Sequence, residues 1–196
     1  MVTTVYDTDI PSNLTDLLKS LIGRRLVNMV KFNDVPEQEL IEEYYMEPEE
    51  FFCCSLGPFL FYFEDGLVVG GSSNPSRNTV LMWVEKNENG EHREWLQEED
   101  KRAVPFYAKD FDDWKIYLNQ VVKSVTIIKE LPYISSNRSS RYFDLPNERG
   151  VLIEFENGTG LIMSHGLNDD SDDTTLAKPD GIDPAFEGHL EYIPVI

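Results

Sequence analysis

Carboxylates are the side chains in this sequence whose number and spacing could do chemistry. One run, Glu37, Glu39, Glu42, Glu43, Glu47, Glu49 and Glu50, contains no Lys or Arg; it encloses Tyr44 and Tyr45, and Phe51 and Phe52 follow it. Clustered acids attract a cationic partner over long range, and tyrosines supply rigid contact area. The plainer reading is a solvated helix face with its aromatics turned to the core. A second run, Asn168 to Asp173, holds four carboxylates in five positions: Asp169, Asp170, Asp172 and Asp173. Such a run can hold a hard cation, but the EF-hand spacing requires a glycine at its sixth position. Counting from Asp169 or Asp170, that glycine is missing. The run therefore reads as an acidic loop, either solvated or offered to a basic cleft. A third group places Glu98, Glu99 and Asp100 beside Trp95, and Asp110, Asp112 and Asp113 before Trp114. Carboxylates at Asp110 to Asp113 suit the start of a helix, with Trp114 in the core.

Other reactive chemistry is sparse. The three histidines, His92, His165 and His189, fall on unrelated segments. No metalloprotease helix motif, nucleophile elbow or phosphate-binding glycine loop occurs. Ser164-His165 precedes the Asp-rich run, so a Ser/His/Asp set exists on paper only. The two cysteines, Cys53 and Cys54, are adjacent. They are poorly placed to bond each other and too few for a structural zinc site, and a reducing cytoplasmic setting is expected. No catalytic set, cofactor or metal is expected.

The net charge is -19, from 36 Asp and Glu against 17 Lys and Arg. Phosphate backbones and anionic membrane surfaces are repelled by such a field, and a basic protein is drawn in. Arg24-Arg25 and the Arg138 to Arg141 stretch are too short to offset it. Apolar residues make up 41% of the chain, enough for a core, so the acidity does not mark a disordered tail. No secretory leader is expected at Met1 to Ile10, and no apolar run reaches the ~18 residues that cross a bilayer.

These side chains need elements to hold them. Phe59 to Phe63, Glu64-Asp65-Gly66 and Leu67 to Val69 read as a hairpin, because Asp-Gly supplies the positive φ of a tight turn. Val151 to Met163, with Asn157-Gly158, reads as another, and its extra Thr159-Gly160 predicts a longer turn or a bulge. Asp16 to Gly23 has helical spacing and precedes a strand at Arg24 to Phe32. Phe111 to Val121 reads as a helix before a strand at Val122 to Lys129. The order helix, strand, connection, hairpin thus occurs twice, offset by roughly 90 to 96 residues. Asn78 to Glu85 reads as a further strand, and His92 to Leu96 as its return. Asp34 to Phe51 reads as a helix or long excursion, and His189 to Val195 as a final strand. The fold expected is α+β: two similar helix–strand–hairpin units with mostly antiparallel sheet. They cover 1–106, with the acidic insertion, and 107–196, with the acidic C-terminal loop, as two units or one continuous domain.

Leu21-Ile22-Gly23-Arg24-Arg25-Leu26, followed by Leu60-Phe61-Tyr62-Phe63-Glu64-Asp65-Gly66-Leu67, resembles the small α+β immunity proteins of bacterial polymorphic-toxin and contact-dependent inhibition systems. The resemblance covers the helix–strand–hairpin units. It implies an inhibitor that binds a cognate toxin domain in the cytosol, a nuclease above all, whose basic cleft an acidic partner can occupy. No functional residues transfer with it. The surface expected for that partner comprises Glu42, Glu43, Glu47, Glu49, Glu50, Asp169, Asp170, Asp172 and Asp173, with Tyr44, Tyr45 and Trp95 as anchors. The alternative is a phage or mobile-element protein that imitates DNA to inhibit a host defence enzyme, with acids spaced along a surface like phosphates. A module whose acidity serves only solubility, and an enzyme with a concave polar pocket, are the remaining classes.

Overall fold

The computed structural model describes residues 8–33, 35–55, 57–92, 104–132 and 144–196. A 3-10 turn at Pro11–Leu14 runs into α1 (Thr15–Leu21). Leu14, Leu17, Leu18 and Leu21 are all buried, the stripe that a helix lays on a core. Next comes β1 (Arg25–Asn33). An excursion carrying α2 (Glu37–Glu42) and a 3-10 turn at Pro48–Glu50 leads to β2 (Cys54–Ser55). The hairpin of β3 (Phe59–Phe63) and β4 (Val68–Asn74) follows, then β5 (Thr79–Lys86). After β6 (Val104–Tyr107) come a 3-10 turn at Ala108–Asp110, α3 (Asp112–Lys115) and β7 (Gln120–Glu130). The hairpin of β8 (Gly150–Phe155) and β9 (Gly160–His165) precedes β10 (Thr174–Ala177) and β11 (Leu190–Pro194).

Among the described residues the eleven strands form one sheet in the order β2-β10-β9-β8-β7-β1-β3-β4-β5, with β6 added to β1 and β11 to β7. Every pairing is antiparallel. The protein is therefore α+β, built on an antiparallel sheet. Its two halves join through a short ladder between β1 and β7, Arg25 opposite Val121 and Leu26 opposite Gln120. The Gly23 N–H donates to Val122 O at 2.8 Å and the Asn119 N–H to Leu26 O at 2.6 Å, closing both ends of that ladder.

Alternation along the strands sorts the side chains. Phe59, Phe61 and Phe63 of β3 point into the same core as Val125, Ile127, Val151, Ile153 and Met163 of the second half. A Cβ at Gly71 would fall 1.9 Å from the Met163 sulfur, so β4 approaches β9 only because residue 71 has none. Two further hydrogen bonds tie the halves: Val80 N–H to Glu148 O at 2.9 Å and Thr174 Oγ1 to Ser73 Oγ at 2.9 Å. Among the described residues the main core is thus continuous across both halves. On the outer side, Ile128, Ile162 and Leu167 pack beneath Phe186, while Leu60, Val68 and Trp83 form a separate group.

Three local expectations are corrected. The helix expected over Phe111 to Val121 is only α3. Asn119, at φ +64°, ends the turns after it, and its N–H is spent on Leu26. The second hairpin turn is no longer than the first. Phe63 N–H bonds Leu67 O and Phe155 N–H bonds Thr159 O, each at 2.9 Å, so Gly160 already belongs to β9. Gly66 and Gly158, at φ +91° and +84°, take the left-handed position in each turn. The final strand expected at His189 to Val195 is β11, whereas edge strand β6 was not foreseen; β6 carries Pro105 and β11 carries Pro194. Neither edge offers a full row of donors to another chain. Among the described residues no helix is long and apolar enough to cross a membrane.

Candidate functional site

The first acidic run leaves the sheet after β1. Leu40 turns α2 inward and is buried, whereas Ile41, Glu42 and Glu43 face solvent. Tyr44 is 53% exposed and Tyr45 85%. Tyr45 takes φ +55°, an unfavourable value for a bulky residue, as the chain reverses between Tyr44 and Met46. Hydrogen bonds from Met46 N–H to Leu40 O (3.0 Å) and Tyr44 N–H to Glu39 O (3.4 Å) hold that reversal. Glu47 and Glu50 form a reciprocal capping box, with Glu47 N–H donating to Glu50 Oε2 at 2.9 Å. Glu49 lies in the same 3-10 turn; its side chain is outside the described ones. No Lys or Arg occurs anywhere from Phe32 to Ser76.

Phe51 and Phe52 belong to the core, at 2% and 0% exposure. They carry the acidic segment onto the stretch from Phe106 to Trp114. Phe51 meets Phe106 at 5.7 Å, and Phe52 meets Phe111 at 5.4 Å and Trp114 at 5.9 Å between ring centroids. This docking brings the Glu47–Glu50 turn beside Asp110, Asp112 and Asp113. Between them lies a cavity of about 370 Å³ lined by Pro48, Asp110, Phe111, Asp112, Asp113 and Trp114. Asp112 pairs with Lys115 at 2.6 Å and Asp113 with Lys178 at 2.9 Å. The hydrogen bond from Lys115 holds the Asp112 carboxyl below the usual carboxylate range. Tyr117, buried beneath this surface, is raised above the usual phenol value by burial, then by Asp180 and Asp113. Two acidic groups distant in sequence thus share one surface around the cavity. Trp114 itself is core, at 5% exposure.

The Asp-rich run connects β9 to β10 and divides in two. Asp169 and Asp172 face solvent. Asp170, at φ +56°, sends its carboxylate to the Arg149 guanidinium at 3.2 Å. Asp173 is half-buried, and burial, then Asp169, raises its pKa while Lys31 opposes the rise. The Asp172 backbone carbonyl accepts from Ser73 Oγ at 3.2 Å. Among the described residues no three His, Cys, Asp or Glu side chains converge as metal ligands.

Beneath this loop lies a buried polar group that the sequence did not reveal. Arg149 is 3% exposed and pairs with the equally buried Glu130 at 3.1 Å. Arg149 also donates to the carbonyls of His165 and Gly166 and lies 4.7 Å over the Phe186 ring. Asn78 bridges Glu130 Oε2 (3.0 Å) and Asn147 Oδ1 (2.9 Å). His165 is 1% exposed; its Nε2 lies 3.9 Å from Asp172 Oδ1, and its buried Nδ1 has no hydrogen-bond partner among the described residues. Burial, then the Arg149 charge, push His165 down to about 4. It is a neutral imidazole at pH 7. Ser164 points to the opposite face of β9 and shares its hydroxyl with Thr175 at 2.6 Å. The paper combination of Ser164 and His165 therefore makes no nucleophile–base pair. Lys31, fully buried, donates to the Gly57 carbonyl and lies 4.0 Å over Phe59.

Trp95, with Glu98, Glu99 and Asp100, lies outside the described residues. The expected surface resolves into Glu42 to Glu50 with the exposed tyrosines on one side and, on the other, Asp169 to Asp173 just before β10, whose Thr174 lies opposite Ser55 of β2. Asp110, Asp112 and Asp113, read from sequence as a helix start, border the cavity. Comparison with known proteins returns no matching family model, no matching curated protein and no matching solved structure.

Proposed function

We propose that this chain is an inhibitor of the immunity type, which binds a basic protein domain through the acidic surface carried by residues 37–50. The toxin to be neutralised would be a nuclease whose cleft is cationic. The observation that carries the reading is the exposure of Ile41, Tyr44 and Tyr45 within a carboxylate run free of basic residues. A surface acidic only for solubility has no reason to hold two tyrosines out in water, one of them on a left-handed backbone. Tyrosines ringed by acids supply anchors and steering together. They also interrupt the carboxylate row, which favours a protein partner over imitation of a phosphate backbone.

We further infer that the two halves are similar units, as their order in sequence suggests. Support comes from hydrogen bonds that recur at one spacing, 96 residues (Gly23 to Asn119). Ile22 N–H to Lys19 O recurs as Leu118 N–H to Lys115 O, and Arg24 N–H to Leu21 O as Gln120 N–H to Tyr117 O. The β-bulge between Leu26 and Asn28 recurs between Val122 and Ser124. On this reading the join near Arg25 and Val121 is a pseudo-twofold axis. The Glu- and Tyr-bearing segment departs from it once, so one partner domain binds per chain.

The test is complex formation with a basic nuclease-toxin domain encoded beside the gene for this chain. The quadruple variant E42K/E43K/E47K/E50K should abolish it. Lysines at Glu156, Glu187 and Glu191, exposed positions on the second half, should leave it within about threefold. Equal losses from both sets would mean that total charge alone matters, and the assigned surface would be wrong.

A further inference from the structure

We propose that the cavity between Pro48 and the Asp110–Trp114 segment receives one arginine side chain presented by the basic partner. This rests on the reading above and adds the point of entry. At about 370 Å³ the cavity is at the small end of ligand pockets, which run ~300–1,000 Å³. It is open to solvent on one side and has room for one long side chain.

The lining selects the chemistry. Half-buried Phe111 supplies aromatic surface, with the buried Trp114 at the wall and Phe52 behind both. Asp110, Asp112 and Asp113 supply carboxylates, and all three are exposed. An anion is repelled here, and an apolar side chain leaves the acids unused. A cation meets both components: aromatic faces attract it, and carboxylates pair with it. Guanidinium suits this lining better than ammonium, because its plane stacks on rings and its fork engages a carboxylate through two bonds.

The pocket already deals in cations. Lys115 holds Asp112 and Lys178 holds Asp113, through pairs whose lysines are 53% and 40% exposed. Exposed pairs of this kind are weak, so an incoming arginine can displace them. Asp110 has no cationic partner among the described residues and stands open as the first contact. The adjoining Glu47–Glu50 turn continues the acidic surface, so a basic segment anchored in the cavity runs onto the tyrosine-bearing run.

The test titrates the intact chain with three acetylated, amidated tripeptides, Gly-Arg-Gly, Gly-Lys-Gly and Gly-citrulline-Gly, following the Trp114 indole N–H by NMR. The arginine peptide should shift that signal saturably, with Kd in the millimolar range. The lysine peptide should bind at least threefold more weakly, and citrulline, the neutral isostere, should not saturate. D110N should weaken arginine binding at least threefold, whereas K178Q, which frees Asp113, should tighten it about twofold. All these side chains are on the surface, and unchanged thermal unfolding of each variant confirms the fold. Equal binding of arginine and citrulline overturns the proposal. So do a Kd unchanged in both variants and shifts confined to Asp169–Asp173. A chain that takes the peptide in the cavity yet keeps its partner when Glu42, Glu43, Glu47 and Glu50 are reversed retains the pocket and loses the proposed surface. The opposite pattern retains the surface and loses the pocket.

Discussion

Mild acid should destabilise this protein through His165 alone, before general carboxylate protonation takes over. In the folded chain His165 is buried, and burial with the Arg149 charge holds it near 4 against an ordinary 6.5. The groups facing it are Arg149, which disfavours the cation, and Asp172 and Glu130, which favour it less strongly. Between pH 6.5 and pH 4 the unfolded chain therefore binds the proton and the folded chain does not. Stability contributed by the neutral ring is complete above pH 6.5 and declines as pH falls toward 4. At ~1.36 kcal/mol per pH unit the full shift corresponds to about 3 kcal/mol. Asp172, at 84% exposure, keeps water near one side of the ring, and about 2 kcal/mol is the expected effect after that screening. The perturbation is His165→Gln, which keeps a polar atom near the Nε2 position and cannot titrate. Urea unfolding at pH 7 and pH 4.5 gives the stability lost on acidification for each protein, and the loss should be about 2 kcal/mol smaller in the variant. The carboxylates contribute to both, so the difference isolates the imidazole. Equal losses would refute the assignment of a buried, neutral histidine.

Removing Arg149 should be costly, because it leaves Glu130 buried without its cation. R149M should lose about 3–5 kcal/mol in urea unfolding, and R149M/E130M should recover at least half of it; a double variant as unstable as the single one contradicts this. Gly23 and Asn119 both sit at positive φ, and no atom lies within 4 Å of a Cβ built at Gly23. G23V should therefore cost about 1–2 kcal/mol from backbone strain and G23N clearly less; equal costs would mean the space and not the φ angle decides. G71V should prevent β4 from approaching Met163 and lower the thermal midpoint by several degrees. An unchanged midpoint would show that the two halves do not meet there.

Much of the sheet was legible because single residues carry its geometry. Asp65-Gly66 and Asn157-Gly158 announced both hairpins, while the inward face of Phe59, Phe61 and Phe63 came only with the fold. Leu17, Leu18 and Leu21 gave α1 by spacing. The α3 region misled because Trp114, Tyr117 and Leu118 keep helical spacing through what are only turns, and nothing local shows that Asn119 donates across to Leu26. β10 was missed because Thr174–Ala177 is short, buried on both faces and follows an Asp run, which hides any alternation. The cavity was out of reach for a different reason. Pro48 and Asp110 meet only through the docking of Phe51 and Phe52, a contact more than fifty residues long in sequence. The Arg149–Glu130 pair and buried Lys31 contradict the ordinary habit of charged residues, so composition could not flag them.

The central claim is that the acidic, tyrosine-bearing surface meets a cationic protein by long-range attraction. Stopped-flow association with a basic toxin domain that forms the complex, measured from 50 to 500 mM salt, tests this most directly. The account predicts a rate constant that falls at least tenfold across that range and is already low in E42K/E43K/E47K/E50K. A rate indifferent to salt, equal in parent and variant, would contradict it.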